Sequence, residues 1–425
     1  MTDFSQLGLA EPILRALTAE GYEKPTPIQA QVVPAMIAGN DVLGTAQTGT
    51  GKTAAFVLPV LNRLAQESRR PESKTCRALI LAPTRELAAQ IVESVQAYSA
   101  HMRASVAMVI GGVKISKQIR TMQRGVDIVV ATPGRLLDLA DQKAIHFNAV
   151  ETVIIDEADH MMDMGFLPQI RKVLAQLPRK RQTVLLSATM PKDIRALADK
   201  FLNDPVNIAV AAVSKPAERI DQSVRFMAPN EKRDALAKIL SADNVHSAIV
   251  FTRTKRGADR VSRHLEQAGL ASAAIHGNKS QNQRIKTLDA FKDRSLRVLV
   301  ATDIAARGID IDKVSHVVNF ELPNVPESYV HRIGRTGRAG ESGTAITLCA
   351  PDERKLLRDI EKVIGNRISG NDAPDYSTSD GDGKTKSFRP EQDEKARRKP
   401  RRRYRPAQGK GKPRGKGQGQ SSRAS

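Results

Sequence analysis

Short, nearly continuous apolar runs alternate with longer segments of helical periodicity along residues 1–370. Such runs are typical of parallel strands that are covered on both faces. The runs that predict a first series of strands are Asp41–Thr45, Ala78–Ala82, Ser105–Ile110, Asp127–Ala131, Thr152–Ile155 and Thr183–Leu186. The runs that predict a second series are Ser223–Met227, Ala248–Thr252, Ser272–His276, Arg297–Ala301, Ser315–Asn319 and Thr344–Leu348.

Helical patterns lie between most of these runs, as at Arg85–Tyr98, Lys255–Ala268 and Ser280–Lys292. This alternation predicts right-handed βαβ units, and therefore an α/β protein with open, doubly wound parallel sheets. The two series predict tandem domains at residues 1–209 and 221–370, joined by a linker at 210–220. Because ligands of such sheets bind beyond the carboxyl ends of the strands, we expect functional residues in the loops that follow them.

Basic side chains outnumber acidic ones, with 67 Lys and Arg residues against 46 Asp and Glu residues. The formal charge of +21 indicates an anionic partner, with nucleic acid ranked before a membrane surface. The excess is concentrated at Lys384–Ser425, which has 16 basic and 3 acidic residues. Residues 371–425 are therefore predicted to form a disordered basic tail that holds phosphates without sequence preference. A solvated, solubilising appendage is the alternative.

Several classes of protein are excluded by composition. A hydrophobic fraction of 40% excludes a wholly disordered chain. No apolar run approaches the roughly 18 residues that a membrane span requires. Met1–Phe4 has no basic region followed by an apolar one, so no secretory signal is expected. Because Cys76 and Cys349 form no metal-type pair and indicate no disulfide scaffold, we expect a reducing, cytoplasmic compartment. No membrane partner is expected.

A phosphate-binding loop is predicted between the first strand and the helix after it. Its residues are Ala46, Gln47, Thr48, Gly49, Thr50, Gly51, Lys52 and Thr53. Glycines let backbone N–H groups wrap the β- and γ-phosphates of a nucleotide, and the helix N-terminus adds positive potential. Lys52 is predicted to neutralise phosphate charge, and the Thr53 hydroxyl to bind Mg²⁺. The pattern departs from the common one at Ala46, and an ordinary Gly-rich turn is the alternative.

Three acids follow the apolar run Thr152–Ile155. Adjacent carboxylates at a strand end repel each other unless a cation compensates for their charge. Asp156 is therefore predicted to hold Mg²⁺, and Glu157 to orient and deprotonate an attacking water. Asp159 is predicted to link elements through hydrogen bonds. The alternative is an acidic helix N-terminus, which the helix dipole favours.

The phosphate loop followed by Asp156-Glu157-Ala158-Asp159 resembles the DEAD-box RNA helicases, and the resemblance covers essentially all of residues 1–370. The other segments that resemble family motifs are Gly21-Tyr22, Pro25–Gln29, Pro83–Ala88, Gly111-Gly112, Thr132–Arg135, Ser187–Thr189, Ile249–Thr254, Gln281 with Arg284, Ala301–Asp303, Arg307–Asp310 and His331–Arg338. Within the family, Phe4–Leu9 and His276–Gln281 look most like the bacterial RhlE helicases. The resemblance implies two RecA-like domains, ATP and Mg²⁺.

Adenine recognition by Tyr22 and Gln29 is implied by the resemblance. Local sequence offers alternatives, since Tyr22 could be core packing and Thr26–Gln29 is also a capping box with Pro27 at its first helical position. We expect that one amide cannot both cap the helix and bind adenine. Asp310 is implied to bind the ribose.

Contacts with the RNA backbone are implied for residues of both domains. These residues are Pro83, Thr84, Arg85, Gly112, Thr132, Pro133, Gly134, Arg135, Gly277, Arg284 and Thr302. A helix N-terminus, small hydroxyls and one Arg suit phosphate binding without base readout, although Pro83–Arg85 and Thr132–Arg135 could be simple helix caps. The family role of Ser187 and Thr189 is transmission between the ATP and RNA sites, and the alternative is that they only end the strand. Asp159 and His331 are assigned to the same coupling, with His331 expected to form hydrogen bonds between the domains.

Arginines recur at a spacing of three at Arg332, Arg335 and Arg338. On a helix this spacing would place them on one face, where they would repel each other unless they met an anion. The resemblance implies that Arg335 and Arg338 contact the γ-phosphate as arginine fingers. Arg332 is expected to pair with a carboxylate or RNA, and a solvated basic face is the alternative.

The resulting prediction is an ATP-dependent RNA helicase, in which RNA-stimulated hydrolysis is coupled to domain closure and to local unwinding of short duplexes or remodelling of ribonucleoproteins. RNA is the predicted partner, held mostly through its backbone and tethered by the tail. Ribosome-assembly and RNA-decay complexes are candidate partners between which the sequence does not choose. An ATP-gated RNA clamp or scaffold and a DNA translocase are the alternatives.

Overall fold

The computed structural model describes residues 3–47, 49–67, 69–210, 220–306, 314–337 and 343–370. The predictions for Thr48, Asp310, Arg338, the tail and most of the linker therefore lie outside the described residues. Within the described ranges, no helix is both long and apolar enough to cross a membrane.

The first sheet has seven parallel strands in the described part of the chain, in the order β3-β4-β2-β5-β6-β1-β7. These strands are β1 (Val42–Thr45), β2 (Cys76–Leu81), β3 (Val106–Val109), β4 (Val126–Ala131), β5 (Thr152–Ile155), β6 (Gln182–Ser187) and β7 (Val206–Ala209). The order puts β6 between β1 and β5, so the loops after these three strands lie side by side at one edge.

Two apolar cores cover the two faces of this sheet. Ile154 of β5 packs into one core, and its neighbours Val153 and Ile155 pack into the other. The surrounding helices are α1 (Glu11–Ala19), α2 (Pro27–Ile37), α3 (Lys52–Gln66), α4 (Arg85–Tyr98), α5 (Ile115–Met122), α6 (Pro133–Asp141), α7 (Ala158–Asp163), α8 (Leu167–Gln176) and α9 (Lys192–Phe201). Burial on both faces explains why the strands are continuous apolar runs.

The second sheet repeats this plan, with seven described parallel strands in the order β10-β11-β9-β12-β13-β8-β14. These strands are β8 (Ile220–Phe226), β9 (Ala248–Thr252), β10 (Ser272–Ile275), β11 (Val298–Thr302), β12 (His316–Asn319), β13 (Gly343–Cys349) and β14 (Ser369–Gly370). Its helices are α10 (Lys232–Leu240), α11 (Lys255–Gln267), α12 (Gln281–Lys292), α13 (Asp303–Ala306), α14 (Glu327–Ile333) and α15 (Arg354–Ile364).

The twelve predicted strands are confirmed, with ends that differ from the predicted ones by at most three residues. Two edge strands were missed, Val206–Ala209 and Ser369–Gly370. The first buries only Ile208 among its four residues, so it has no apolar run to recognise. The second strand series begins earlier than predicted, because Ile220 is already in β8 although the linker was expected to reach residue 220.

Candidate active site

Three functional loops meet where β1, β6 and β5 end. The Ala46 N–H donates to the Ser187 carbonyl at 3.0 Å, which joins the phosphate loop to the loop after β6. The Lys52 ammonium is buried and donates to the Ala46 carbonyl at 2.7 Å. Thus the sheet order alone brings the phosphate loop, the acids and Ser187 to one place.

The phosphate loop has a backbone that only glycine adopts easily at two positions. Gly49 has φ 81° and Gly51 has φ 88°, both in the left-handed region. A Cβ atom at Gly51 would also lie 2.5 Å from Gln29 Nε2. Helix α3 begins at Lys52, immediately after this turn, and Thr53 lies in its first turn. The N–H groups of that turn are therefore directed toward the loop, as phosphate binding requires.

Asp156 is a buried carboxylate at the end of β5, only 2% exposed. Its Oδ1 accepts the Glu157 N–H at 3.0 Å. Burial raises the pKa of Asp156 to about 7, with the nearby positive charge of Lys52 acting in the opposite direction. Because burial penalises the ionised form, a cation at this carboxylate would be strongly favoured. Asp156 and the Thr53 hydroxyl are hard oxygen donors, so the residues present fit Mg²⁺.

Glu157 adopts a strained conformation, with φ 52° in a residue that is not glycine. Its Oε2 lies 2.8 Å from Nδ1 of His160, and both side chains are buried. Burial would raise the pKa of Glu157, but the His160 hydrogen bond, the His160 imidazole and the charges of Lys52 and Arg335 lower it to about 2. Glu157 is therefore a carboxylate at neutral pH, and Arg335 acts on it from beyond α14.

Asp159 joins α7 to the loop after β6. Its Oδ2 accepts the N–H groups of Ala188 at 3.2 Å and Thr189 at 2.8 Å, and also the Thr189 hydroxyl at 2.9 Å. Its Oδ1 accepts the His160 N–H at 3.0 Å, and its own N–H donates to Ser187 Oγ at 3.2 Å. These hydrogen bonds link α7 to the loop after β6, as predicted for Asp159.

Gln29 contacts both its own helix and the phosphate loop. Its Oε1 accepts the Thr26 N–H at 2.8 Å, and its Nε2 donates to the Gly51 carbonyl at 3.1 Å. The capping contact predicted from the sequence is therefore present, while the oxygen keeps a second lone pair and the nitrogen a second hydrogen. Adenine binding by Gln29 stays a prediction. Tyr22 is 36% exposed, and its hydroxyl is hydrogen-bonded to that of Tyr98 at 2.7 Å.

The implied RNA-contacting residues of the first sheet follow β2, β3 and β4, which are neighbours. The Arg85 guanidinium lies against Gly112, where any Cβ atom would collide with it. Arg135 donates to the carbonyls of Ile110 and Val113, both at 2.9 Å. These loops therefore form one continuous surface.

The helix-cap alternative is partly right for these loops. Thr84 caps α4, because its hydroxyl accepts the Leu87 N–H at 3.2 Å. Thr132 makes no such side-chain cap, although Pro133 opens α6 and Gly134 follows it there. The buried Pro83 precedes the cap.

Two residues of helix α12, in the second domain, reach this surface. Arg284 Nε donates to Glu86 Oε1 at 2.8 Å, and Gln281 Nε2 donates to the same oxygen at 3.1 Å. Arg85 Nη1 donates to Gln281 Oε1 at 3.3 Å. Arg85 and Arg284, assigned to RNA from different domains, are thus brought together around Glu86.

The remaining predicted residues of the second domain stand at strand ends. Gly277 is exposed two residues after β10, and Thr302 is buried at the end of β11. Gly277 thus follows its strand, Thr302 is the last residue of its own, and their contacts with RNA stay predictions.

Arg332 and Arg335 do not share one helical face, so that prediction is wrong for this pair, and Arg338 lies outside the described residues. Helix α14 ends at Ile333 with Gly334 as its cap, and Arg335 lies in the turn that follows. Glycine is a poor helix residue and a common helix end, which explains the early stop.

Arg332 lies inside α14 and pairs with a carboxylate. Its Nε and Nη2 donate to the two Asp303 carboxylate oxygens at 2.5 and 2.7 Å. It also donates to Asn319 and to the Glu321 carbonyl, and it stacks on the Phe251 ring. These contacts fix the helix that precedes Arg335.

Three residues of the site were missed by sequence reasoning: Glu86, Tyr98 and His160. Glu86 follows Arg85 directly, and His160 stands three positions after Glu157, where α-helical spacing would have suggested contact. Tyr98 offers no such signal, because its partner Tyr22 is 76 residues away.

Comparisons with known proteins agree on one family. The DEAD/DEAH box helicase domain matches residues 26–197, and the helicase conserved C-terminal domain matches residues 231–340. The chain is 44% identical over 376 residues to the ATP-dependent RNA helicase CshA of Listeria monocytogenes, covering 88% of this chain and 71% of that protein.

Two solved structures resemble most of the chain. A chain of Saccharomyces cerevisiae Dbp5 bound to RNA and ADP BeF3 matches with a TM-score of 0.78 and 31% identity, over 87% of this chain and 95% of Dbp5. A DEAD box protein from Methanococcus jannaschii matches with a TM-score of 0.50 and 37% identity, over 88% and 99% of the two chains. The predicted fold, two parallel-sheet α/β domains, is confirmed.

Proposed function

The chain belongs to the DEAD/DEAH box helicase family, and from that premise we propose that it is an ATP-dependent RNA helicase whose RNA-stimulated ATP hydrolysis drives local unwinding of short duplexes or remodelling of ribonucleoproteins. One observation supports the proposal: the buried Glu157 carboxylate lies near two buried basic groups, Lys52 of the first domain and Arg335 of the second, whose charges both lower its pKa. A phosphate-binding Lys, a carboxylate and an Arg are the groups that phosphoryl transfer to water requires.

ATP binds in the phosphate loop. Backbone N–H groups of the loop and the start of α3 hold the β- and γ-phosphates, and Lys52 exchanges the Ala46 carbonyl for phosphate oxygen. Tyr22 and the spare hydrogen and lone pair of Gln29 contact adenine. The roles of Thr48, Asp310 and Arg338 in this site remain predictions.

Mg²⁺ is the implied metal, and Thr53 and Asp156 are the residues that would hold it. Bound there, it supplies positive charge to the phosphate oxygens. Glu157 orients the attacking water and accepts its proton, and Arg335 stabilises the charge that develops on the γ-phosphate. The lowered pKa of Glu157 keeps it ionised at neutral pH, so its carboxylate is ready to accept a hydrogen bond from this water.

RNA binds through its backbone to the surface formed by the loops after β2, β3 and β4, with Arg85 and Arg135 as its charged groups. Arg284, Gly277 and Thr302 of the second domain complete this RNA-binding surface. Arg284 is paired with Glu86, so a phosphate must compete with this carboxylate or bind beside the pair. Asp159, Ser187, Thr189 and His331 transmit between this surface and the ATP site.

The domain bounds, the subfamily, the cellular location and the partner complexes are part of this proposal. We divide the chain into domains at residues 1–209 and 220–370, with a linker at 210–219 and a basic RNA tether at 371–425, since Ile220 is already part of β8. The RhlE-like assignment rests on Phe4–Leu9 and His276–Gln281, whereas the curated relative reported above carries the name CshA. A cytoplasmic location, and a place in ribosome-assembly or RNA-decay complexes, also remain predictions.

The test is phosphate release from ATP with and without single-stranded RNA. We expect strong RNA stimulation in the wild-type protein and none in Glu157→Gln, which keeps the size of the side chain and removes its charge. Equal stimulation by RNA and DNA would favour the DNA translocase. Stable RNA binding with ATP but without phosphate release would favour the clamp.

A further inference from the structure

His160 occupies a place beside Glu157 that the proposed mechanism does not use. It is the third residue of α7, and its side chain is 1% exposed. Its Nδ1 lies 2.8 Å from Glu157 Oε2. Because an ionised carboxylate can only accept, Nδ1 carries the proton and donates it to this bond.

Glu157 needs such a donor. Its side chain is 7% exposed, and its backbone is held at φ 52°, which a side chain other than glycine adopts only when the surroundings enforce it. A buried carboxylate without a hydrogen-bond donor is strongly disfavoured. One oxygen bound to His160 leaves the other, Oε1, for a water molecule.

Two further contacts hold this residue in place. The backbone N–H of His160 donates to Asp159 Oδ1 at 3.0 Å, in the network that holds Thr189. The His331 ring of α14 meets the His160 ring edge to face, with centroids 4.9 Å apart and planes at 75°. Within the described residues, His160 Nε2 has no hydrogen-bond partner, so Nδ1 makes the one described side-chain hydrogen bond of this imidazole.

We propose that His160 is a positioning residue for ATP hydrolysis: its Nδ1–H holds the Glu157 carboxylate in the orientation that directs Oε1 at the attacking water, and the His331 ring ties this orientation to α14. The inference rests on the proposed role of Glu157. Since Glu157 acts on water and does not hold the nucleotide, loss of the bond lowers kcat and leaves the KM for ATP unchanged. A misplaced catalytic group costs up to roughly a hundredfold in rate.

Two amide substitutions at position 160 separate positioning from packing. The amide nitrogen of Asn can take the place of Nδ1, whereas that of Gln lies near Nε2 and points past the carboxylate. We expect His160→Asn to keep kcat within roughly threefold of the wild type, and His160→Gln to lower it by roughly tenfold or more. The KM values for ATP and RNA should stay within about twofold in both variants, because neither substitution alters a residue that binds these ligands.

Two outcomes would overturn the proposal: equal kcat values for the wild type, His160→Asn and His160→Gln, or equal losses in both variants accompanied by raised KM values. The proposed function is judged separately, on RNA stimulation of the wild type and its loss in Glu157→Gln. If the wild type hydrolyses ATP and His160→Gln does so at the same rate, only the positioning role fails.

A spectroscopic measurement keeps the proposal testable if a His160 variant does not fold. In wild-type protein with ¹⁵N-labelled histidine, a proton on Nδ1 that is bound to a carboxylate should resonate downfield of ordinary imidazole protons. We expect this signal to move upfield in Glu157→Gln, since the amide is a weaker acceptor. An unchanged histidine spectrum would show that the bond does not form.

Discussion

Replacing Asp159 by Asn tests the connection between the acids after β5 and the loop after β6. The change removes one charge and exchanges one oxygen for an NH₂ group of similar size. In the native protein the two carboxylate oxygens accept four hydrogen bonds, three at Oδ2 from Ala188 and Thr189 and one at Oδ1 from the His160 N–H. Asn can keep the three bonds at Oδ2 only by turning its NH₂ group toward the His160 N–H.

The energetic cost of the substitution follows from these four bonds. A buried N–H group that loses its acceptor costs about 1–3 kcal/mol, and hydrogen bonds to a neutral oxygen are weaker than those to a carboxylate. We therefore expect the free energy of unfolding of this region to fall by about 2–4 kcal/mol. Urea unfolding followed by circular dichroism measures this change. Asp199→Asn, which removes an exposed Asp from α9, is the matched control and should change stability by less than about 0.5 kcal/mol.

The stability difference between Asp159 and its Asn variant should also depend on pH. Burial alone would raise the pKa of Asp159, but the His160 imidazole and the Thr189 hydrogen bonds lower it below the usual 3.8. A lowered pKa in the folded state means that the advantage of Asp over Asn is complete above pH 3.8 and is lost as the pH falls below that value. A loss under about 1 kcal/mol at neutral pH, or a gap that widens as the pH falls, would refute the hydrogen-bond account. RNA stimulation of the ATPase should fall in parallel, because Thr189 loses its anchor.

Three further predictions concern other contacts. Arg332→Lys removes the bidentate contact with Asp303, so we expect the free energy of unfolding, measured in urea, to fall by about 1–3 kcal/mol and kcat to fall as well. Unchanged values of both would contradict the role of this pair. Tyr98→Phe removes the hydroxyl partner of Tyr22 and keeps the ring, so the KM for ATP should rise by roughly twofold to fivefold at constant kcat. Tyr98→Leu should raise this KM further, because that change also removes the ring contact. Deleting residues 384–425 should raise the RNA concentration for half-maximal ATPase without changing the rate at saturating RNA, and an unchanged RNA requirement at low salt would exclude the tether.

The positions of the functional loops could be predicted because parallel sheets leave a strong trace in sequence. Buried strands such as Thr152–Ile155 are continuous apolar runs, and the polar residues directly after them stand at the carboxyl edge. The edge strand Val206–Ala209 left no such trace, since three of its four residues are exposed. The interior of a sheet is therefore easier to predict than its margins.

Side-chain partners were harder to predict than positions. The early end of α14 placed Arg335 off the helix, because Gly334 outweighed the regular spacing of the arginines. The contact between Tyr22 and Tyr98 depends on how α4 packs, which no local pattern encodes. His160 was within reach of sequence reasoning, since helical spacing relates it to Glu157, but a single His near acids has many ordinary explanations.

The functional charges of this site already have partners within the protein, and this bears on how the two ligands are coupled. Lys52 donates to the Ala46 carbonyl, and the Ala46 N–H donates to the Ser187 carbonyl. Ser187 in turn accepts the Asp159 N–H. A phosphate that draws Lys52 away from the Ala46 carbonyl breaks the first hydrogen bond of this series. In the proposed function, RNA binds to the surface beyond the last of these bonds, that of Asp159. Binding is then an exchange of partners, so each ligand gains only the difference between two contacts. Because the two binding equilibria are thermodynamically linked, any factor by which ATP changes the affinity for RNA is the factor by which RNA changes the affinity for ATP.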